Sequence, residues 1–316
     1  MTVSVNPSEF VWTQKYRPKN IEECILPSSI KEIAKGYIEQ GRIPTMLFTG
    51  SAGTGKTTLA IAMCEELGAD WMMINASSQN SIDDVRTTIT QFASTVSFND
   101  SKKVTILDEA DYLSPNAQAA LRNLVESSAS NHSIIFTCNF KNRIIDAIHS
   151  RCNIIDFKIP ASEKPKLASQ FMKRCEQILS KEDVEYDKKV LAELINRHFP
   201  DYRKTINELQ KYAVGGKVDA GILVNLSDES FNELVSFLKE KKFNSIRKWV
   251  ANNADIDSVK LFSELYNKSS DKMQPQTIPE LVLILAKYSY QSAFVADHEL
   301  NTMAALTEIM MNCNWK

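Results

Sequence analysis

The segment from 50 to 57 constrains the fold of this chain more than any other part. It reads Gly-Ser-Ala-Gly-Thr-Gly-Lys-Thr, follows an apolar run at 45–49 and opens a helical pattern that stops at Gly68. Glycines let such a loop curl so that successive backbone N–H groups face phosphate oxygens, and the helix N-terminus adds a positive dipole end. A chance glycine-rich turn is the alternative, but the strand, the lysine and the hydroxyl together favour a phosphate site.

This phosphate loop predicts a nucleoside triphosphate as ligand. Lys56 is expected to reach the β- and γ-phosphates, and the Thr57 hydroxyl is expected to ligate Mg²⁺. The residues predicted to surround the phosphates are Gly53, Thr54, Gly55, Lys56, Thr57 and Thr58.

Two acids follow a second apolar run, at 104–107. Because parallel strands end at a common edge, Asp108 and Glu109 should lie beside the phosphate loop. Asp108 is expected to hold Mg²⁺ through water, and Glu109 to orient and polarise a water that attacks the γ-phosphate. Two acids after a strand can also simply cap the next helix, but the phosphate loop upstream favours hydrolysis.

The first half of the chain alternates apolar runs with helical patterns. Near-continuous hydrophobicity is typical of strands that are covered on both faces, and the alternation with helices predicts a doubly wound α/β domain with a parallel sheet. The expected strands are 45–49, 71–75, 104–107, 133–139 and 153–157. Ser114 and Pro115 form an N-cap and first-turn pair that begins another helix.

After Pro160 the strand signal disappears, so helices alone are expected. A small bundle over 162–214 should end at Gly215-Gly216, and a third region, helical again, should begin near 228. The expected domains are therefore 1–160, 161–227 and 228–316. The apolar positions of the bundle are Leu167, Phe171, Ile178, Val190, Leu191, Leu194, Ile206 and Leu209.

The apolar faces of the third region predict its core. They are marked by Phe231, Leu234, Val235, Leu238, Leu261, Phe262, Leu265, Leu281, Leu283, Ile284 and Leu285. The helix with the last four is apolar nearly all round, so it should be buried, either within the chain or against other subunits.

Composition limits the partners, the cysteine chemistry and the cellular location that are expected for the chain. With 37 basic and 39 acidic residues the net charge is -2, so any nucleic-acid surface must be local or assembled from several subunits. The six cysteines are scattered, without a C-x-x-C pair, which disfavours a zinc site or disulfide framework and favours buried thiols. The lack of a signal-peptide core and of long apolar runs predicts a cytoplasmic protein without a membrane partner.

Several segments together resemble the AAA+ ATPases and, within them, the clamp loaders. The segments are Lys15-Tyr16-Arg17-Pro18, the strand end at Asn139, Ser150-Arg151-Cys152 and Asp201-Tyr202-Arg203-Lys204-Thr205-Ile206. The short length, the missing zinc-binding insertion and the last motif are closest to the large subunits from T-even-type bacteriophages. The resemblance covers the whole chain and implies an AAA+ P-loop domain with a five-stranded parallel sheet, a helical lid, an all-helical collar, and the cofactors ATP and Mg²⁺.

The resemblance also implies roles for single residues in the site. Asn139 would bind the γ-phosphate and the attacking water, and Arg203 would close the lid on the phosphates. Arg151 would be an arginine finger in a neighbouring subunit's site, with a surface salt bridge as the alternative. The residues implied to contact adenosine are Thr13, Gln14, Lys15, Tyr16 and Ile25, the alternative being an arm packed on the sheet.

Three further residues would couple the site to its surroundings. Asn75 would hold the Glu109 carboxylate away from water until DNA arrives, although an asparagine there can equally form a turn. Gln118 and Arg122 lie four residues apart, hence on one helix face. Gln118 would connect Glu109 with the DNA side, and Arg122 would contact the adjacent subunit's nucleotide.

The implied function is loading of a ring-shaped sliding clamp onto DNA, driven by ATP. The implied partners are the sliding clamp, identical subunits, a distinct small subunit, primer–template DNA and the DNA polymerase holoenzyme. The DNA-facing segment 78–86 departs from the family pattern because Arg86 is its one basic residue, so its side-chain contacts stay open.

Two other functions compete with this interpretation. Residues 108–111 spell Asp-Glu-Ala-Asp, the motif of a helicase class, but such a helicase needs a second α/β lobe where only helices are expected. An AAA+ remodeller, or a scaffold that only binds ATP, is the other alternative.

Overall fold

A computed structural model describes residues 10–77, 82–95, 102–127, 132–218, 228–253, 258–269, 272–295 and 297–316. The chain divides into two compact units, Met1–Ile222 and Leu223–Lys316. The predicted division into three domains stays a prediction, and its second boundary, at 227, lies outside the described residues. So do residues 78–81 of the expected DNA-facing segment.

The first unit is built on a five-stranded parallel sheet, as predicted. The strands are β1 (Met46–Thr49), β2 (Asp70–Asn75), β3 (Lys103–Asp108), β4 (His132–Cys138) and β5 (Asn153–Asp156). Their order is β2-β3-β4-β1-β5, and every neighbouring pair is parallel.

Helices cover both faces of this sheet because successive strand residues point to opposite sides. On β1, Met46 and Phe48 pack into one apolar cluster and Leu47 into the other. A short helix, α1 (Trp12–Lys15), precedes the sheet in the chain. The helices around the sheet are α2 (Ser28–Glu39), α3 (Lys56–Leu67), α4 (Ile82–Ser94), α5 (Pro115–Ser127) and α6 (Asp146–His149). The first cluster includes α2 and α3, and the second includes α4, α5 and α6.

The strand order aligns the carboxyl ends that the sequence marks as functional. Thr49 at the end of β1 is level with Cys138 at the end of β4, and Asn75 is level with Asp108 across β2 and β3. The loops that follow these four strands therefore meet at one edge of the sheet, which is where open α/β sheets bind ligands.

Three further helices complete the described part of the first unit, and we call them the helical subdomain: α7 (Lys164–Lys181), α8 (Lys188–His198) and α9 (Tyr202–Ala213). The expectation that strands end at Pro160 is wrong, because Glu185–Tyr186 (β6) pairs in parallel with Lys217–Val218 (β7). Two-residue strands are too short to produce a readable alternation. Ile206 is half-buried rather than in the core, and its side chain lines a cleft.

The second unit is helical in its described residues. Its helices are α10 (Asp228–Lys239), α11 (Phe243–Asn252), α12 (Ser258–Ser269), α13 (Ile278–Gln291) and α14 (His298–Asn312). The predicted core positions are buried, with one exception: on α13, Leu281, Ile284 and Leu285 are buried, whereas Leu283 is 66% exposed. Within the chain α13 is therefore buried on one side, at positions three and four residues apart, and its burial against other subunits stays a prediction.

The six cysteines are free thiols, five of them buried and Cys152 intermediate. Among the described helices, none combines the length and the apolar character needed to cross a membrane.

The end of α3 offers a stability test. Gly68 ends this helix with a φ of 64°, the left-handed conformation that costs other residues roughly 1–2 kcal/mol. We expect Gly68→Ala to lower the unfolding free energy by about that amount. Gly36, inside α2, also has open space around it but no left-handed φ, so Gly36→Ala should raise stability by about 0.5–1 kcal/mol. Urea denaturation measures both, and equal signs for the two variants would contradict the assignment.

Candidate functional site

The Asp108 carboxylate lies at the centre of the site. Its Oδ1 atom accepts hydrogen bonds from Thr57 Oγ1 at 2.7 Å and from Thr137 Oγ1 at 2.6 Å. Thr57 begins the turn of α3 that follows the phosphate loop, and Thr137 is on β4. The predicted association of Thr57 with Asp108 is thus present, and Thr137 is a partner that the sequence analysis missed.

Lys56 is folded over the phosphate loop. Its Nζ atom donates to the carbonyl oxygens of Gly50 and Ser51, both at 2.7 Å, and to Asn139 Oδ1 at 2.9 Å. Burial lowers the pKa of the Lys56 ammonium, although Cys138 and Asp108 act in the opposite direction. The predicted lysine and the predicted strand-end amide are therefore in direct contact.

Glu109 has an unusual backbone conformation. Its φ is 58° and its ψ is 40°, in the left-handed region that few residues other than glycine adopt. Its N–H donates to Thr137 Oγ1 at 3.2 Å. Strained backbone of this kind concentrates at functional sites, where the surroundings hold it in place.

A buried carboxylate fixes the turn that carries Asn139. Asp111 Oδ2 accepts the backbone N–H groups of Asn139 at 3.3 Å and Phe140 at 3.1 Å. Asp111 is itself 4% exposed. It therefore sets the position of the amide that contacts Lys56, a role that the sequence analysis did not assign.

The predicted coupling residues occupy different surroundings. Asn75 lines the cleft described below, and its Oδ1 accepts the N–H and the hydroxyl of Ser77 at 2.9 and 2.8 Å. Gln118 is buried, donates to Leu113 O at 3.1 Å and Arg143 O at 2.9 Å, and accepts from the Ile145 N–H at 2.9 Å. These bonds brace the backbone segments that follow β3 and β4, and the predicted coupling of Gln118 to Glu109 stays a prediction.

Arg122 and Arg151 lie on the surface of the unit, outside the cleft lining. Arg122 is exposed on α5. Arg151 is exposed two residues after α6, where its Nη1 atom donates to Ala147 O at 2.9 Å and Ser150 Oγ at 3.1 Å.

A cleft of about 500 Å³ adjoins the phosphate loop. The residues predicted for the site that line it are Thr13, Gln14, Tyr16, Ile25, Gly53, Thr54, Gly55, Lys56, Thr57, Thr58, Asn75, Asp108, Glu109, Asn139 and Arg203. Lys15 is the exception in the N-terminal segment: its Nζ atom pairs with Glu182 Oε1 at 2.5 Å. Adjacent side chains on α1 point in different directions, and the expected contact of Lys15 with adenosine stays a prediction.

The cleft carries a small excess of positive charge. Among the described residues, its lining contains four cationic and three acidic side chains, which are Arg17, Lys56, Arg174 and Arg203 and Glu23, Asp108 and Glu109. Burial, followed by repulsion from Arg203, lowers the pKa of Arg17. Arg17 and Arg174 were missed as site residues, although Arg17 is part of the quoted Lys-Tyr-Arg-Pro segment. The charge suits an anionic ligand such as a triphosphate.

The helical subdomain packs directly on the phosphate loop. The Tyr202 N–H at the start of α9 donates to Gly53 O at 3.1 Å. A Cβ atom on Gly53 would lie 1.8 Å from Asp201 Oδ1, and its φ is 73°. Gly53 therefore permits both the turn and the close approach of α9.

The oxygen donors at the edge of the sheet fit a magnesium ion. Mg²⁺ prefers oxygen ligands and usually keeps several waters while it binds substrate phosphates. The Thr57 hydroxyl and the Asp108 carboxylate are such donors, 2.7 Å apart, beside the loop expected to hold the phosphates.

Two family models match the first unit. Residues 46–159 match the ATPase family associated with various cellular activities (AAA). Residues 163–224 match the model described as the AAA+ ATPase lid domain of the sliding-clamp-loader large subunit.

Curated relatives extend the match to the whole chain. The sliding-clamp-loader large subunit of Enterobacteria phage T4 is 36% identical, over 99% of this chain and 100% of the relative. Its counterpart from Escherichia phage RB69 is 33% identical over the same shares. The replication factor C small subunit of Archaeoglobus fulgidus is 37% identical over 75% of this chain and 76% of the relative.

Among solved structures, a RuvB variant of Thermotoga maritima has a TM-score of 0.54 at 14% identity. The match covers 77% of this chain and 87% of that chain. At this identity the similarity supports the fold alone, which agrees with the predicted doubly wound sheet.

Nucleotide binding can be measured through stability. ATP with Mg²⁺ should raise the unfolding free energy by about 2.7 kcal/mol when its concentration is a hundred times the dissociation constant. Lys56→Ala should lose most of this gain because it removes the buried ammonium from the loop. Lys166→Ala, at an exposed position of α7, is the matched control and should keep it. Equal stabilisation of both variants in thermal unfolding would refute the assignment.

Proposed function

The chain belongs to the sliding-clamp-loader large subunits of the AAA+ ATPases, and on that premise we propose how it uses ATP. ATP binding by several copies would open and hold a sliding clamp, and hydrolysis triggered by primer–template DNA would release the clamp around the DNA. The observation that carries the proposal is the meeting of Lys56, Asp108, Asn139 and Arg203 around one cleft.

The cleft has two ends with different chemistry. At one end the loop residues Gly53 to Thr58 would bind the three phosphates, and Thr57 and Asp108 would hold Mg²⁺, directly or through water. The ion, when bound, neutralises charge on the phosphates. At the other end Thr13, Gln14, Tyr16 and Ile25 would enclose the base and ribose.

Hydrolysis would rest on two groups at strand ends. Glu109 would orient and polarise the attacking water, with the preset backbone of this residue limiting its freedom. Asn139 would bind the γ-phosphate by donating from its Nδ2 atom, while its Oδ1 atom accepts from Lys56. Asn75 would restrain Glu109 until DNA arrives, and Gln118 would act indirectly, through the backbone segments that it braces after β3 and β4.

Arg203 would couple nucleotide binding to the position of the helical subdomain. It lines the cleft one residue after Tyr202, which is bonded to Gly53. An arginine in this position can bind phosphate oxygens in a forked geometry. The subdomain would then be the lid of the ATPase, over residues 161–227.

Arg151 and Arg122 would act on the neighbouring copy. Both are exposed and outside their own cleft, which supports a role between subunits. A guanidinium supplied from outside stabilises charge on the γ-phosphoryl oxygens. The binding of ATP at each interface would in this way set the copies in a spiral.

The second unit would be the collar that joins the copies and a distinct small subunit, over 228–316. Its exposed Leu283 on α13 supports contact with another chain. Because the net charge is -2, DNA affinity would come from backbone contacts repeated over several subunits. The assembly would act with the polymerase holoenzyme, in the host cytoplasm for a phage-encoded chain.

Of the competing functions, the scaffold that only binds ATP is the one that requires a test. The helicase alternative lacks support, because beyond β5 the described residues form helices and one pair of two-residue strands rather than a second α/β lobe.

Glu109→Gln distinguishes an enzyme from a scaffold. Loss of the carboxylate should lower ATP turnover by roughly 10²-fold or more, the range of general-base contributions. ATP binding should persist because the phosphate loop is intact. Turnover is measured with clamp, primed DNA and small subunit, and Glu39→Gln, at an exposed position ending α2, is the control. Undiminished turnover would favour the scaffold.

Arg151→Ala tests the action between subunits. Alone, it should reduce DNA-stimulated turnover by about 10³-fold, whereas Arg42→Ala, an exposed control, should not. Mixing Arg151→Ala with Lys56→Ala should restore part of the activity, because one variant keeps an intact phosphate loop and the other supplies the arginine. A mixture as inactive as its components would argue that Arg151 acts within its own subunit or not at all.

A further inference from the structure

The N-terminal arm, which we define as residues 10–18, is attached to the helical subdomain. Gln210 on α9 accepts the Trp12 N–H at 3.0 Å and donates to Phe10 O at 2.6 Å. Arg174 on α7 donates to Tyr16 O at 3.1 Å. The backbone of the arm is thus held at both ends by the subdomain.

Glu182 adds a side-chain clasp to this attachment. It caps the C-terminus of α7, and its Oε1 atom accepts from Lys15 Nζ at 2.5 Å and, in a short hydrogen bond, from the Tyr16 hydroxyl. The hydrogen bonds from Lys15 and Tyr16 lower the pKa of Glu182, so it is ionised at neutral pH. Charge-assisted bonds of this kind are roughly twice as strong as neutral ones.

The clasp fixes the ring of Tyr16. The Trp12 ring meets it edge-on with centroids 6.4 Å apart, and the ammonium groups of Lys15 and Lys181 lie 5.3 and 5.9 Å from its centroid. With its hydroxyl bonded and its ring in contact with Trp12 and two ammonium groups, Tyr16 has little freedom. Tyr16 lines the cleft, whereas Glu182 is outside the lining.

Beyond the arm, the chain is attached to α3, a helix that packs on the sheet. The Ile21 N–H donates to Glu66 Oε1 on α3 at 2.7 Å. Ile25, four residues further along the chain, also lines the cleft. One wall of the cleft is therefore fastened to the helical subdomain, and another to the helix that follows the phosphate loop.

We propose that Glu182 is a positioning residue that, through Tyr16, sets the wall of the cleft against the base and ribose of the nucleotide. The inference rests on the proposed function, which assigns this end of the cleft to adenosine. Since the arm is bonded to α7 and α9, any movement of the helical subdomain carries the arm with it. A movement of the subdomain would therefore change the contact of Tyr16 with the base and the contact of Arg203 with the phosphates at the same time.

Glu182→Ala should weaken binding at the adenosine end of the cleft and leave binding at the phosphate end unchanged. We expect the dissociation constant for ATP to rise by about five- to tenfold, as for loss of a carboxylate that accepts two hydrogen bonds. Binding of inorganic tripolyphosphate should not change, because that probe contacts only the phosphate end. Both ligands are measured with the full chain and Mg²⁺ by calorimetry or by displacement of a fluorescent nucleotide.

Glu176→Ala is the matched control. Glu176 lies on α7 as well and pairs with Lys188 at 3.5 Å, away from the arm, so both affinities should stay at the wild-type level. Unchanged ATP affinity in Glu182→Ala, or an equal loss for both ligands, would overturn the positioning role. If Lys56→Ala still binds ATP as the wild type does, the proposed function itself fails, and the two failures are thus distinguishable.

A kinetic measurement and a second variant complete the test. In the assembled loader, Glu182→Ala should raise KM without lowering kcat, since the catalytic groups lie at the other end of the cleft. Tyr16→Phe removes the hydroxyl but keeps the ring, and its effect on ATP affinity should not add to that of Glu182→Ala. Additive effects, or a fall in kcat alone, would show that Glu182 does not act through Tyr16.

Discussion

The shared acceptor at Asp108 ties the ends of three adjacent strands into one site. Asp108 ends β3, Thr137 belongs to β4, and Thr57 follows the loop after β1, yet both hydroxyls donate to the same oxygen. The contact requires the order β3-β4-β1, because an intervening strand would separate the groups by a further strand spacing of about 4.8 Å. The order of the strands in the sheet, rather than any single loop, thus fixes the distances of Thr57 and Thr137 from Asp108.

The parts that sequence predicted well are those with a local signal. The phosphate loop, its helix and the five strands each occupy one continuous segment, so periodicity and turn residues suffice to find them. The sequence does not reveal the roles of Thr137, Asp111 and Glu182, because each role depends on a partner that is distant in sequence. For example, Asp111 holds the backbone at Asn139 and Phe140, and no pattern around Asp111 signals that contact.

The direction of individual side chains is what local patterns leave open. Lys15 belongs to the same motif as neighbours that line the cleft, but the carboxylate that pairs with its ammonium comes from residue 182. Leu283 lies on a helix that is apolar nearly all round, and helical periodicity does not distinguish a face buried within the chain from a face that contacts another chain. Sequence therefore predicted the elements and the phosphate chemistry, while side-chain direction depended on tertiary structure.

A near-neutral chain can still bind a highly charged ligand where several cations lie close together. Arg17, Lys56, Arg174 and Arg203 line one cleft, among acidic side chains, and burial together with repulsion from Arg203 lowers the pKa of Arg17. These four groups come from the arm, the phosphate loop, α7 and α9. An anion that bound among them would offset this repulsion and attract all four elements. Binding of a triphosphate in this cleft would therefore favour the proposed closing of the helical subdomain, together with the arm, over the nucleotide.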